Sequence, residues 1–430
     1  MDPIVATWGA VGGLVLAIVL IIRKMPPAYA LIFAALAGGL AGGAGLVQTV
    51  DVMIAGTKGM MPSVLRILAS GVLAGALIKT GAATRIADAI VSGLGARFAL
   101  PAVALATMVV CAVGVFIDIS VITVAPVALA VGRRSGIPVP ALLLAMIGGG
   151  KAGNIISPNP NTIAAADAFK LDLTALMFEN AVPALVALAA TLVLSAWIAK
   201  SIRRRNGRQD AAAAAGDPSA AGTAGEDAKD IPCLLAALSG PLTVVVLLAL
   251  RPFAKIAVDP LIALPAGGIV AILAAGRVRE TLPFMEFGLS KVAGVAILLI
   301  GTGTIAGVIK ASGLNADMIA LLKLCHLPAF ALAPVSGVLM AGATASTTAG
   351  ATVAAQTFAE PLLSSGVPAV SAAAMIHAGA TVVDSLPHGS FFHATGGAVF
   401  MSIGERIKLI PYEALVGLSA TLAAVVQYML

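Results

Sequence analysis

The chain has 430 residues, 60% of them hydrophobic and 11% charged, with a net charge of +6 and a mean hydropathy of +1.04. Soluble domains carry about 25% charged residues, so a chain this apolar lacks the polar surface to cover itself in water, and the bilayer is the solvent that fits. The basic excess lies in short loops between apolar segments, as membrane orientation demands, which excludes a nucleic-acid partner.

The first apolar run follows Met-Asp-Pro without the positive region of a cleaved signal peptide, so it is expected to be kept as a helix. A span needs about 20 apolar residues. Clear candidates are 4–22, 27–47, 99–117, 180–199, 232–250, 260–276, 328–345 and 412–430. Less regular apolar stretches at 58–79, 120–148, 155–169, 287–311, 350–363 and 367–402 contain Gly, Pro, Asn, Asp or His and read as broken helices or re-entrant hairpins. Residues 200–231 start with Lys200, Arg203, Arg204, Arg205 and Arg208 and continue through an Ala/Gly/Ser/Asp stretch, which predicts a flexible cytoplasmic linker. It divides the chain into a first membrane repeat, 1–199, and a second, 232–430.

The halves resemble each other. Ala74-Gly75 and Gly81 match Ala306-Gly307 and Gly313 at a separation of 232, and Ser135-Gly136-Ile137-Pro138 matches Ser365-Gly366-Val367-Pro368 at 230. Arg23 and Lys24 follow the first span of one half, whereas Arg277 and Arg279 follow the second span of the other. These groups and the pairs Arg133/Arg134 and Arg406/Lys408 fall on one side only if the halves have opposite topology, with both termini outward. Lys79, Arg85, Arg97 and Lys255 then fall on the outer side. The expected fold is an all-α polytopic membrane protein of two inverted-topology repeats with broken helices and re-entrant hairpins, a typical arrangement of secondary transporters.

Ionisable groups inside a bilayer are costly and usually functional. The polar stretches are 115–123, 148–162, 342–350 and the segment from His377 to Ser390. Gly and Pro interrupt helices there, and the freed N–H groups at half-helix N-termini attract a carboxylate. Unwound backbone at membrane depth is tolerated only where it lines a cavity or is buried. The expected substrate-binding residues are Lys151, Asn154, Ser157, Asn159, Asn161, Thr162, Thr344, Ser346, Thr347, Thr348 and Ser385, with Lys151 neutralising the anion's charge. Asp118, Asp384 and His388 are the candidates for ion coupling. Such a site suits a small hydroxylated carboxylate. His377 and His393 read as structural.

Cys111, Cys233 and Cys325 are isolated, and no set of His, Cys and carboxylates has metal-ligand spacing, so no metal or cofactor is expected. Gly301-Thr302-Gly303 lacks the strand and spacing of a nucleotide loop and reads as helix packing, and without a Walker A sequence an ATP-driven pump is not expected. An intramembrane enzyme built on Asp384, His388 and Ser390 would leave the other half's polar break unexplained. A passive anion channel would conduct without a coupling ion.

At Ala74–Ile90, at Pro138–Phe169 with its Ser-Pro-Asn-Pro-Asn-Thr core (157–162), and from His377 through Asp384-Ser385 to the C-terminus, the sequence resembles the gluconate permease (GntP) family of the ion-transporter superfamily. The resemblance covers nearly the whole chain. It implies proton-coupled symport of gluconate or a related sugar acid in a bacterial inner membrane, an elevator-like motion, and a homodimer in many members. Where gluconate permeases carry a Pro-Pro-His-Pro-Gly-Pro type stretch, this chain has Ser157-Pro158-Asn159-Pro160-Asn161-Thr162. Citrate or dicarboxylate transport and sodium coupling therefore stay open alternatives.

Overall fold

The computed structural model describes residues 4–209, 231–254, 256, 258–314, 316–317, 320, 324, 328–387 and 389–430. Among them the chain is helical, with one isolated bridge between Val5 and Ser312 and no strand. Among the described residues five helical stretches are long and apolar enough to cross a bilayer: Leu46–Lys79, Val139–Ala168, Ala181–Ile202, Val278–Lys310 and Ile403–Met429. The chain is accordingly an all-α polytopic membrane protein.

One group of helices comprises α1 (Thr7–Ile22), α2 (Pro27–Ala41), α3 (Leu46–Lys79), α11 (Leu234–Ala254), α12 (Pro260–Ala274) and α13 (Thr281–Lys310). Its axis is the pair α3 and α13, unbroken helices of 34 and 30 residues. A side chain on Gly56 would strike the Gly303 carbonyl, and one on Gly288 the Gly71 carbonyl, so the two backbones touch. Small residues at the contact are how helices associate where lipid supplies no hydrophobic drive. Gly301-Thr302-Gly303 lies inside α13, where Gly303 packs on Thr57. α2 packs on α13 and α12 packs on α3.

The other group holds the interrupted elements. α5 (Ala99–Ala112) turns at Val113–Phe116 into α6 (Ile117–Ser135), and α7 (Val139–Ile155) breaks before α8 (Pro160–Ala168). Later in the chain, α14 (Leu332–Thr344) turns into α15 (Thr347–Ser364), and α16 (Ala369–Gly379) breaks before α17 (Ser390–Ala398). α10 (Ala181–Gln209) and α19 (Ile410–Met429) pack on α7 and α16 respectively and on each other. The connecting helices are α4 (Ala82–Leu94), α9 (Leu173–Glu179) and α18 (Ile403–Ile407).

The interruptions have local causes. Gly114 takes φ +110° at the first hairpin turn, a backbone that other residues rarely adopt. Ala345 takes φ +47° at the second, a strained position for a residue with a Cβ. Pro160 has no N–H to continue α7 and instead starts α8 at its first position. Gly136 at φ +60° and Pro138 divide 120–148, expected as one stretch, into α6 and α7.

Two expected spans are corrected. The stretches 99–117 and 328–345 end early as α5 and α14, of 14 and 13 residues, and each turns at once into the next helix as one arm of a helical hairpin. At about 1.5 Å per residue they extend roughly 20 Å, short of the ~30 Å hydrocarbon core. The expected linker also starts later than Lys200, because α10 continues to Gln209. The rest of it, 210–230, lies outside the described residues. Arg406, one of the basic groups that orient the halves, is buried against Glu413, with Nη2 at 3.1 Å from Glu413 Oε2 and 3.2 Å from Thr395 Oγ1.

Candidate functional site

Helix starts at 117, 139 and 160 in the first half recur at 347, 369 and 390 in the second, each 230 residues later. The packing repeats as well. α8 lies on α15, and its counterpart α17 lies on α6. Each broken helix thus docks on the hairpin of the other half, and both hairpin turns and both breaks face one cavity of about 260 Å³.

The first turns of four helices form the wall: Phe116–Ile119 of α6, Ala345–Thr348 of α15, Ser390 and Phe391 of α17, and Asn161 of α8. Asn154, Asp384, Lys291 and Val295 complete it. The opening amides of a helix have no intrahelical partner. In α8 the Asn159 side chain accepts from the Asn161 and Thr162 amides at 3.0 and 3.1 Å, and in α15 Ser346 accepts from the Ala349 amide at 3.3 Å. Neither Phe116 nor Gly389 has a side-chain cap for α6 or α17. At α6 the Asp118 carboxylate in the first turn accepts from its own and the Ile119 amide, so the start of α17 is the uncapped helix end at the cavity, and its partial positive charge favours an anion there.

The asparagines fix one another's orientation. Asn159 Oδ1 accepts from two amides and from the Thr162 hydroxyl at 3.2 Å, so its Nδ2 points the other way, donating to Asn154 Oδ1 at 2.6 Å and to the Asn154 carbonyl at 2.8 Å. Asn161 Nδ2 also donates to Asn154 Oδ1, at 3.0 Å. With Oδ1 holding two donors, Asn154 Nδ2 is left without a partner, although the residue is only 2% exposed. A buried amide donor costs free energy until it finds an acceptor, and this one belongs to a residue of the cavity wall.

Asp384 is also in the wall, 2% exposed. Its Oδ1 accepts from Lys151 Nζ at 2.7 Å and from the Ser385 hydroxyl at 3.0 Å, and its Oδ2 accepts from the Thr347 hydroxyl at 2.6 Å. Lys151 donates further to the carbonyls of Thr381 and Glu413. An ammonium has three protons, and all three are occupied. Lys151 thus stands behind Asp384 and does not line the cavity.

The structure therefore brings Asp118, Asn154, Asn161, Ser346, Thr347, Thr348 and Asp384 together around one space. Asn159, Thr162 and Ser385 stand one layer back, holding wall residues in place. Ser157 is buried with its hydroxyl unpartnered, and Thr344 bonds to backbone carbonyls of its own turn. His388 lies outside the described residues. Lys291 and Val295 were not among the expected site residues. Lys291 sits within the irregular stretch 287–311, where an intramembrane charge was itself a signal.

A second cavity, of about 240 Å³, borders α3, α8 and α12 and was not foreseen. Arg66 of α3 binds Asp259 there, with Nη2–Oδ2 at 2.6 Å and Nε–Oδ1 at 3.0 Å, and also Asp167 of α8, which accepts from Ser63 at 2.7 Å. Its guanidinium is thus already held by two carboxylates, and no helix break opens on it. The first cavity is the better site. Among the described residues no group of three or more His, Cys, Asp and Glu could hold a metal ion.

The sequence profile of GntP family permeases matches residues 4–426. A protein of Haemophilus influenzae described as an uncharacterized transporter is 51% identical over 424 residues, which is 98% of this chain and 97% of that one. The YdaH transporter of Alcanivorax borkumensis, whose crystal structure is described as having an unusual topology, superposes with a TM-score of 0.62 at 18% identity over 90% of this chain and 89% of the other. At that identity the likeness concerns the fold alone.

Proposed function

The chain belongs to the GntP permease family and is a membrane transporter, and from that premise we propose that it is a proton-coupled symporter of gluconate or a related small hydroxy acid. The observation that carries the reading is the free Nδ2 donor of Asn154 in a wall that also holds the uncapped start of α17. Together they suit a carboxylate. Asn161, Ser346, Thr347, Thr348 and Ser390 add neutral hydrogen-bonding groups for hydroxyls. Asp384 is our candidate for the coupling proton. It borders the cavity yet is tied to Lys151, so protonation would loosen a buried pair next to the substrate.

We read the two halves as inverted repeats. The recurring helix starts and the exchanged docking of α8 and α17 support that reading. With α5 and α6 as a hairpin that returns to its own side, Lys79, Arg85 and Arg97 join Arg23, Lys24, Arg133 and Arg134 on the cytoplasmic face. The first three fall on the outer side when 99–117 is taken as a full crossing. The stretch between α10 and α11 then links the halves in the cytoplasm. The bacterial inner membrane, a homodimer and an elevator-like motion of the interrupted helices against the α3–α13 group complete the proposal.

Ligand that binds only the folded protein raises its stability, by about 2.7 kcal/mol at a hundredfold excess over Kd. Gluconate should therefore raise the melting midpoint of the purified wild type and, at the same concentration, raise that of Asn154→Ala by about half as much or less. Stabilisation by citrate or dicarboxylates instead would shift the substrate class. Equal stabilisation of both proteins by gluconate would remove this cavity from the account.

A further inference from the structure

Resting on the substrate reading above, we propose that Lys291 supplies the positive charge that pairs with the substrate's carboxylate, and that it does so from the unbroken helix pair rather than from the hairpins. Among the described residues lining the cavity, Lys291 is the one cation. Lys151, the cation that the sequence singles out, has its three protons occupied inside the protein. Lys291 forms no ion pair within 4 Å among the described residues; its ammonium lies 5.0 Å from the centroid of the Phe287 ring, and the Asp118 carboxylate of the same wall attracts it from farther off, so the ammonium is held near the wall with its hydrogen-bonding positions open. It is exposed, whereas Asp384 and Asn154 opposite it are buried.

Depth agrees. Lys291 lies ten positions after Thr281 at the start of α13. At about 1.5 Å per residue that is roughly 15 Å, half of the ~30 Å hydrocarbon core, the level at which transporter sites of broken helices lie. A lone ammonium at that depth is costly unless water or an anion meets it.

The charges also fit. Lys151 and Asp384 cancel, leaving Lys291 and Asp118 as the open charges of the wall. A carboxylate entering at the uncapped start of α17 meets the Lys291 ammonium. Every other polar wall residue belongs to an interrupted element or its break. Lys291 therefore stays behind when the hairpins shift relative to α13, and the substrate loses this partner in the other state. Lys291 is in that sense a specificity and release residue. It selects the acid over neutral sugars of the same shape and holds it on one side of the cycle.

The test is equilibrium binding to the full-length purified protein of gluconate and of its uncharged amide, gluconamide. Wild type should prefer the acid. Lys291→Gln should weaken gluconate binding about tenfold, or ~1.4 kcal/mol, leave gluconamide unchanged, and so lose the preference. Lys291→Arg, which keeps the charge, should retain most of it. A purely structural role would weaken both ligands together, and that result overturns the proposal. Lys291→Gln with the wild-type preference for the acid overturns it while leaving the substrate reading intact. A wild type that binds neither ligand overturns the reading and this inference with it.

Discussion

Replacing Lys151 with methionine tests the buried centre of the site. Met keeps the stem's volume and removes the ammonium. In the native protein Lys151 is 1% exposed and Asp384 2%, and they meet at 2.7 Å. Removing one partner of a buried pair leaves an uncompensated charge, at a cost of about 3–5 kcal/mol. Here two further acceptors, the Thr381 and Glu413 carbonyls, also lose their donor. The Thr347 and Ser385 hydroxyls remain on Asp384 and hold the cost to that range. The Asp384→Asn change alone should cost less, because a neutral amide can still accept from Lys151. The double variant should be more stable than Lys151→Met, since it removes the orphaned charge. Melting midpoints of the four proteins in one detergent form the cycle. A Lys151→Met protein as stable as wild type, or a double variant that is simply additive, would refute the pairing as drawn.

Further expectations follow from other contacts. Asn154→Ala should raise the KM for uptake about tenfold or more, the cost of a hydrogen bond to a charged group being roughly 1.5–3 kcal/mol, with little change in protein yield; an unchanged KM contradicts the assignment of its free Nδ2. Asp384→Asn should abolish uptake driven by a pH gradient while the protein still folds, and gradient-driven uptake equal to wild type would remove Asp384 from coupling. Gly149→Val should prevent stable folding, because a Cβ there strikes the Ala104 carbonyl of α5, whereas Gly12→Val, with nothing within 4 Å of the new atom, should be tolerated; size-exclusion profiles of the two decide it.

The sequence made the solvent, the helix-rich fold and most of the polar wall legible, because burying Asn, Asp and Lys in apolar runs has few explanations other than a site. It could not rank the asparagines. Asn154, Asn159 and Asn161 look alike in the chain, and only the hydrogen-bond geometry shows that Asn159 caps a helix while Asn154 keeps a free donor. Lys151 misled for a related reason. A lysine between glycines suggests a charge facing substrate, and the groups that occupy it, Asp384, Thr381 and Glu413, are more than 200 residues away in sequence. Lys291 carries no motif around it. Its place in the wall depends on how α13 lies against α15, which no local pattern encodes. The hairpin arms were mistaken for spans because the turn at 113–116 contains no proline and is marked by Gly114 alone.

The most direct test of the account is the uptake of labelled gluconate into proteoliposomes with an imposed pH gradient, with and without sodium. The account predicts accumulation that requires the gradient and ignores sodium. Accumulation that requires sodium and persists without the gradient, or no uptake by protein shown to be intact, would contradict it.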